Sequence, residues 1–163
     1  MKKTIRLYWQ EACAFFVPSV EQTLADNFPL AVMPAGVKEP ARQSFDTTRG
    51  QYDALYLLRE LHEAGKNDAP FALWLVGEDI SSFGYDFLYG ASLGNAAVVS
   101  AARAGYGENL HKEICHEAGH LFGLEHCINS CAMNTASNQR QLFEKPLKFC
   151  AGCKEYLLEE DLR

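Results

Sequence analysis

The chain has 163 residues, about one domain with room for a sizeable core, and its 48% hydrophobic and 22% charged composition is that of an ordinary globular protein. The net charge is −6 and no block of Lys and Arg occurs, which argues against a nucleic acid or an anionic membrane surface as partner. Arg6, Gln10 and Glu11 interrupt any leader-like apolar stretch after Met1-Lys2-Lys3, and the longest apolar runs, such as 71–76, are far too short to cross a bilayer, so a cytoplasmic protein is expected.

Thr4 to Trp9 alternates apolar Ile5, Leu7 and Trp9 with polar neighbours and predicts a strand. Pro18-Ser19 opens a helical pattern to about Asn27, closed by Pro29. Leu30 to Met33 predicts a second strand, and 34–48, with Pro34, Gly36 and Pro40, a long loop. Gln51 to Ala64 predicts a helix whose stripe is Ala54, Leu57, Leu58 and Leu61, stopped by Gly65.

Pro70 to Val76 is a continuous apolar run, the pattern of a buried strand. Ser82 to Gly90 carries Phe83, Tyr85, Phe87 and Tyr89 at period two and predicts a strand with one aromatic face. Ala96 to Ala101 predicts another short strand. This alternation of strands and helices predicts an α/β fold with a mostly parallel sheet and helices packed on it.

Glu108 to about Leu124 predicts a further helix. Its apolar residues Leu110, Ile114, Ala118, Leu121 and Phe122 share one face, while His116 and His120 lie on the other. The two histidines are one turn apart, so both imidazoles can reach one ion. Gly123 lets the chain leave the helix in a left-handed turn, which can bring His126 round as a third ligand. Three nitrogens leave a fourth position for water, the mark of a catalytic zinc site, where the ion lowers the pKa of water to about 7. Glu117 is placed as the general base, later returning the proton to a leaving amine. His111, on the apolar side, and His62, on another helix, read as structural histidines.

Four of the six cysteines form two close pairs, Cys127 with Cys131 and Cys150 with Cys153. With no export signal, a closed zinc site of four thiolates is the preferred reading; two disulfides or four free thiols are the alternatives. Cys13 and Cys115 read as buried thiols. His126 and Cys127 are neighbours with Cα atoms about 3.8 Å apart. In an extended segment their side chains point to opposite sides, so one peptide unit would carry a ligand of each ion and the structural zinc would position His126.

HExxHxxGxxH is the metzincin motif. Together with a cysteine directly after the third histidine, Cys131-Ala132-Met133 and the closing Cys-x-x-Cys, it resembles the archaemetzincin family of zinc metallopeptidases. Arg49-Gly50-Gln51-Tyr52-Asp53-Ala54 and Ala97-Val98-Val99-Ser100 are also similar to that family. The strong likeness covers 116–153 and a weaker one reaches back to residue 49. Both cysteine loops are one residue shorter than the family pattern, with three residues inside the first pair and sixteen between Met133 and Cys150.

The resemblance implies an α+β metzincin-like domain over 1–163. It would have a mixed, mostly parallel sheet of about five strands with one antiparallel edge strand. Residues 1–125 would carry the active-site helix, and 126–163 would form a short C-terminal subdomain with the methionine turn and the cysteine site. Met133 would be an apolar floor beneath the catalytic ion. Ser82 to Gly90 would be the edge strand above the cleft, able to bind an extended peptide. The expected activity is zinc-dependent hydrolysis of a peptide or protein substrate by a monomer holding two zinc ions. The alternatives are a latent or non-catalytic zinc protein binding peptides in the same cleft, and an interaction module in which both metals are structural.

Overall fold

A computed structural model of the chain describes residues 3–64 and 69–161. Strand β1 (Lys3–Trp9) leads through a 3-10 turn into helix α1 (Val17–Asn27), with Pro18 in its first turn, and then into β2 (Leu30–Val37). Two short strands, β3 (Phe45–Asp46) and β4 (Gln51–Asp53), precede α2 (Ala54–Ala64). Then come β5 (Phe71–Val76), β6 (Ile80–Ser81), β7 (Gly90–Leu93) and β8 (Ala96–Ser100). Helices α3 (Ala101–Ala104), α4 (Glu108–Leu121), α5 (Gln139–Glu144) and α6 (Ala151–Asp161) complete the order.

The main sheet runs β2-β1-β5-β8-β7. Its first three pairings are parallel and only β7 runs antiparallel, as the α/β reading expects. Alternation along the strands feeds two cores. Ile5, Leu7, Leu73, Leu75, Ala97 and Val99 pack with α1 and α4, whereas Ala72, Trp74, Val76, Ala96 and Val98 pack with α2. The first core also takes in Cys131, Ala132, Met133, Leu142, Phe149 and Leu157 from the C-terminal segment. Phe28 joins the two parts, its ring centroid 5.3 Å from both Phe122 and Phe149.

Several boundaries differ from the sequence reading, each for a local reason. Strand β2 continues through Pro34 because it is an edge strand, where a missing N–H costs no ladder bond. Helix α2 begins at Ala54, not Gln51. Asp53 Oδ1 accepts the Leu55 N–H at 2.8 Å and so caps it, while 51–53 pairs with β3 and β6 in a second, small sheet. The expected stop at Gly65 lies outside the described residues.

The larger correction concerns Ser82 to Gly90, which is a loop up to Tyr89 and meets the edge strand only at Gly90. Its aromatic residues do not share a face: Phe83 is 98% exposed and Tyr89 5%. Side chains satisfy several of its carbonyls, and backbone pairing with neighbouring strands is confined to its end, where the Leu88 N–H meets Ile80 O at 2.9 Å and the Ser100 N–H meets Tyr89 O at 2.8 Å. Arg49 donates to Ser82, Tyr85 and Asp86, and Gln51 Nε2 donates to Asp86 at 2.8 Å. The edge strand is β7, joined to β8 by the two-residue turn Gly94-Asn95, with Gly94 at φ +61°. Among the described residues no helix is long and apolar enough to cross a membrane.

Candidate metal centre

Helix α4 is buried on nearly all sides. Its apolar face packs on the sheet as expected, but the histidine face is not open to solvent. His116 and Glu117 are 6% and 5% exposed, because β7 and the C-terminal segment cover them. The helix closes at its C-terminus with the Leu124 N–H on Gly119 O and the Gly123 N–H on His120 O, both 3.0 Å. This double closure requires a left-handed residue, and Gly123 supplies it at φ +89°. The chain then runs without regular structure to Cys127.

The turn brings His126 back to the helix. One ring nitrogen from each of His116, His120 and His126 falls within 4.8 Å of the others, and the Nε2 atoms of His116 and His120 are 3.2 Å apart. Their Nδ1 atoms point elsewhere: His116 Nδ1 lies 3.0 Å from Ala132 O and His120 Nδ1 2.8 Å from Leu124 O. A carbonyl can only accept, so both Nδ1 atoms carry the proton and both Nε2 lone pairs face the common point. Burial, then Lys145, pushes the His116 imidazole down to about 3, and burial lowers His120. Both rings are therefore neutral near pH 7, the form that binds a metal. Depth is graded, with His116 buried, His120 half-buried and His126 exposed.

Glu117 lies beside this point. Burial and the neighbouring Glu113 carboxylate push its carboxyl up to about 8, and its Oε2 is shut from solvent with no partner. An orphaned buried carboxylate oxygen next to three converging imidazoles fits a divalent cation, whose charge would favour the ionised form. The backbone of β7 closes over Glu117. A Cβ on Gly90 would come within 2.7 Å of Glu117 Cγ. Two cavities, about 460 and 550 Å³, flank the site, and both are bordered by Tyr85, Leu88, Gly90, His116, Glu117 and His126.

Met133 is fully buried beneath α4, where a Cβ on Gly119 would strike its Sδ. Two buried lysines fasten the C-terminal segment to the helix. Lys112 Nζ donates to Phe143 O at 2.6 Å, and Lys145 Nζ pairs with Glu113 Oε1 at 3.1 Å, also lying 3.3 Å from His116 Nδ1.

The second cluster is formed by Cys127, Cys131, Cys150 and Cys153, whose Sγ atoms lie within 4.8 Å of one another. None of the six cysteines is in a disulfide. The Cys153 N–H and the surrounding thiols pull Cys150 down to about 6, while burial raises Cys131 and Cys153. Four converging thiols, none in a disulfide, fit a closed zinc site, which takes them as thiolates. Cys13 and Cys115 lie in the core and belong to neither cluster, their thiols pushed up to about 11 and 12 by burial. His111 Nδ1 meets Thr23 Oγ1 and His62 Nδ1 meets Asn95 Oδ1, each at 2.8 Å. Among the described residues, the two clusters are the convergent groups of metal-binding type.

The structure adds residues that sequence reasoning passed over. Glu113 and Lys145 are charged residues far apart in the chain, and nothing in the sequence marks them as a pair. The carbonyls of Ala132 and Leu124 have no signature in sequence. Gly90 was readable only once β7 was placed, and the Gly94-Asn95 hairpin signal would have placed it.

The model of peptidase family M54 matches residues 31–159. An archaemetzincin of Nanoarchaeum equitans is 33% identical over 140 residues, covering 85% of this chain and 81% of the relative. One from Archaeoglobus fulgidus is 33% identical over 135 residues, covering 78% and 80%. Among solved structures, the archaemetzincin of Methanopyrus kandleri superposes with a TM-score of 0.87 at 28% identity, covering 99% of this chain and 97% of that one.

Proposed function

This chain belongs to peptidase family M54, the archaemetzincins, and is a zinc-dependent metallopeptidase; from that premise we propose which residues do the work and how many ions they hold. His116, His120 and His126 hold the catalytic zinc, and Cys127, Cys131, Cys150 and Cys153 hold a second, structural one. The observation that carries this is the convergence of each set within 4.8 Å, together with the buried, unpartnered Glu117 Oε2 of a residue lining the same cavities as His116 and His126.

Zinc held by the three imidazoles supplies Lewis acidity at the scissile carbonyl and makes water easy to deprotonate near pH 7. The chain's own residues do the rest. Strand β7 has an open outer edge, on which an extended peptide lies as an added strand. Glu117 Oε2 takes the proton from the attacking water and passes it to the leaving nitrogen. Ala132 O and Leu124 O hold His116 and His120 in the ligating tautomer. Met133 fills the space under the site. Residues 1–125 and 126–163 act as two parts of one catalytic unit, a cytoplasmic monomer whose partners are peptides and not nucleic acid.

The test is metal analysis with peptide-library cleavage on the wild type and Glu117→Ala. Two zinc per chain in both proteins, with cleavage only by the wild type, is the expected result. A single zinc would overturn the count, and cleavage surviving in Glu117→Ala would overturn the role of that residue.

A further inference from the structure

The three imidazoles are not held alike. His116 and His120 each give an Nδ1–H to a backbone carbonyl at 3.0 and 2.8 Å. His126 is exposed, and no hydrogen bond to its ring is made among the described residues; its ring centroid stands 5.3 Å from that of His116 and 4.9 Å from that of His120. Its place is set by what lies on either side in the chain. On one side is Leu124, fastened to Gly119 O. On the other is Cys127, whose N–H donates to Met133 O at 3.0 Å and whose Sγ lies 3.8 Å from Cys150 Sγ.

We infer that Cys127 is the positioning residue of His126, and that an ion in the thiolate cluster, by fixing Cys127, raises the affinity of the imidazole cluster for zinc. This rests on the proposed assignment of the two sites. The physical link is one peptide unit. Cys127 supplies a sulfur to one cluster while its neighbour supplies a nitrogen to the other. Met133 O ties that same unit to the floor beneath the histidines. For an ordinary metal-binding histidine, a hydrogen bond to its second nitrogen provides such support, worth about 10–100-fold in metal affinity. Here a backbone anchor replaces it. Coupling of this kind is reciprocal: zinc on the histidines raises the affinity of the thiolates by the same factor.

The experiment uses the full chain and reads zinc affinity at the histidines by chelator competition. Cobalt substitution reports the two clusters separately through thiolate charge-transfer and weak d–d absorption. Four proteins are compared: wild type, Cys127→Ser, Cys153→Ser, and a one-glycine insertion between His126 and Cys127. The serine variants empty the thiolate site from two distant points in the chain. The insertion keeps all seven donor side chains and only slackens the link, so it decides the matter if the serine variants fail to fold. The expected result is that both serine variants lose about tenfold or more at the histidines. The insertion loses a similar factor with its thiolate cluster still filled. An insertion protein within twofold of wild type would overturn the inference while leaving the site assignment intact. A wild-type chain that fills its thiolates but takes no ion at the histidines would overturn both.

Discussion

Lys145 Nζ lies 3.1 Å from Glu113 Oε1, with both side chains almost wholly closed to solvent. The pair joins the C-terminal segment to helix α4 one turn before His116. Removing one member of a buried pair leaves the other charge uncompensated, at a cost of about 3–5 kcal/mol. Lys145→Met should therefore lower unfolding stability by about that amount, measured by denaturant titration. The double variant Lys145→Met with Glu113→Gln should recover much of the loss, because the stranded charge is gone.

Gly90 is the place where β7 meets Glu117. An added Cβ would stand 2.7 Å from Glu117 Cγ and 3.0 Å from Val98 O, a backbone atom held in the sheet. The strand has no room to retreat, so the glutamate must move. Gly90→Ala should lower kcat by at least tenfold with KM and zinc content nearly unchanged, at a stability cost of about 1–3 kcal/mol. Peptide turnover and metal analysis on the same sample check it. Retained kcat would show that Glu117 tolerates displacement.

Gly123 sits at φ +89°, and a Cβ there would also come within 2.8 Å of Tyr156 Oη. The left-handed conformation alone costs a non-glycine residue about 1–2 kcal/mol. Gly123→Ala should lower the thermal midpoint, and adding Tyr156→Phe should restore only the part due to the contact. Full restoration would mean that backbone strain at the helix exit is negligible.

Asp79 receives two hydrogen bonds from Arg103, at 2.8 and 2.7 Å, and one from Gln51 Nε2 at 3.1 Å. The Arg103 bonds hold its carboxyl below the ordinary value of 3.8. A depressed folded pKa means that the folded state binds the proton less readily than the unfolded one. The stabilisation is therefore fully present above the unfolded value and is lost as the pH falls through the folded one. The stability difference between wild type and Asp79→Asn, measured by urea unfolding, should be constant near neutrality. It should shrink as the pH falls below about 4.

Much of the site was legible because its chemistry is local. His116, His120 and Gly123 obey helical spacing, and the cysteine pairs are close in sequence. The sheet was legible for the same reason, since β1, β5 and β8 carry period-two or continuous apolar runs. The failures came where tertiary partners decide. Phe83, Tyr85, Phe87 and Tyr89 alternate like a strand, yet Arg49, more than thirty residues away, captures the carbonyls of Ser82, Tyr85 and Asp86. The helix face bearing His116 reads as polar and hence exposed. A segment folded back from residues 131–145 buries it, and amphipathicity carries no record of such a cover.

The graded depth of the three histidines bears on the speed of metal exchange as well as its equilibrium. On the proposed assignment, an ion bound to buried His116, half-buried His120 and exposed His126 has one side through which to leave. The exposed His126 would be the first of the three to let go of an ion, and the two inner rings the last. The lifetime of the bound ion would then be governed by how often residues 125–126 swing outward between Leu124 and Cys127, both of which are fastened to the core. Two proteins with identical inner ligands and equal affinity could thus differ widely in how fast a chelator strips them, with the difference residing in the two residues between these anchors.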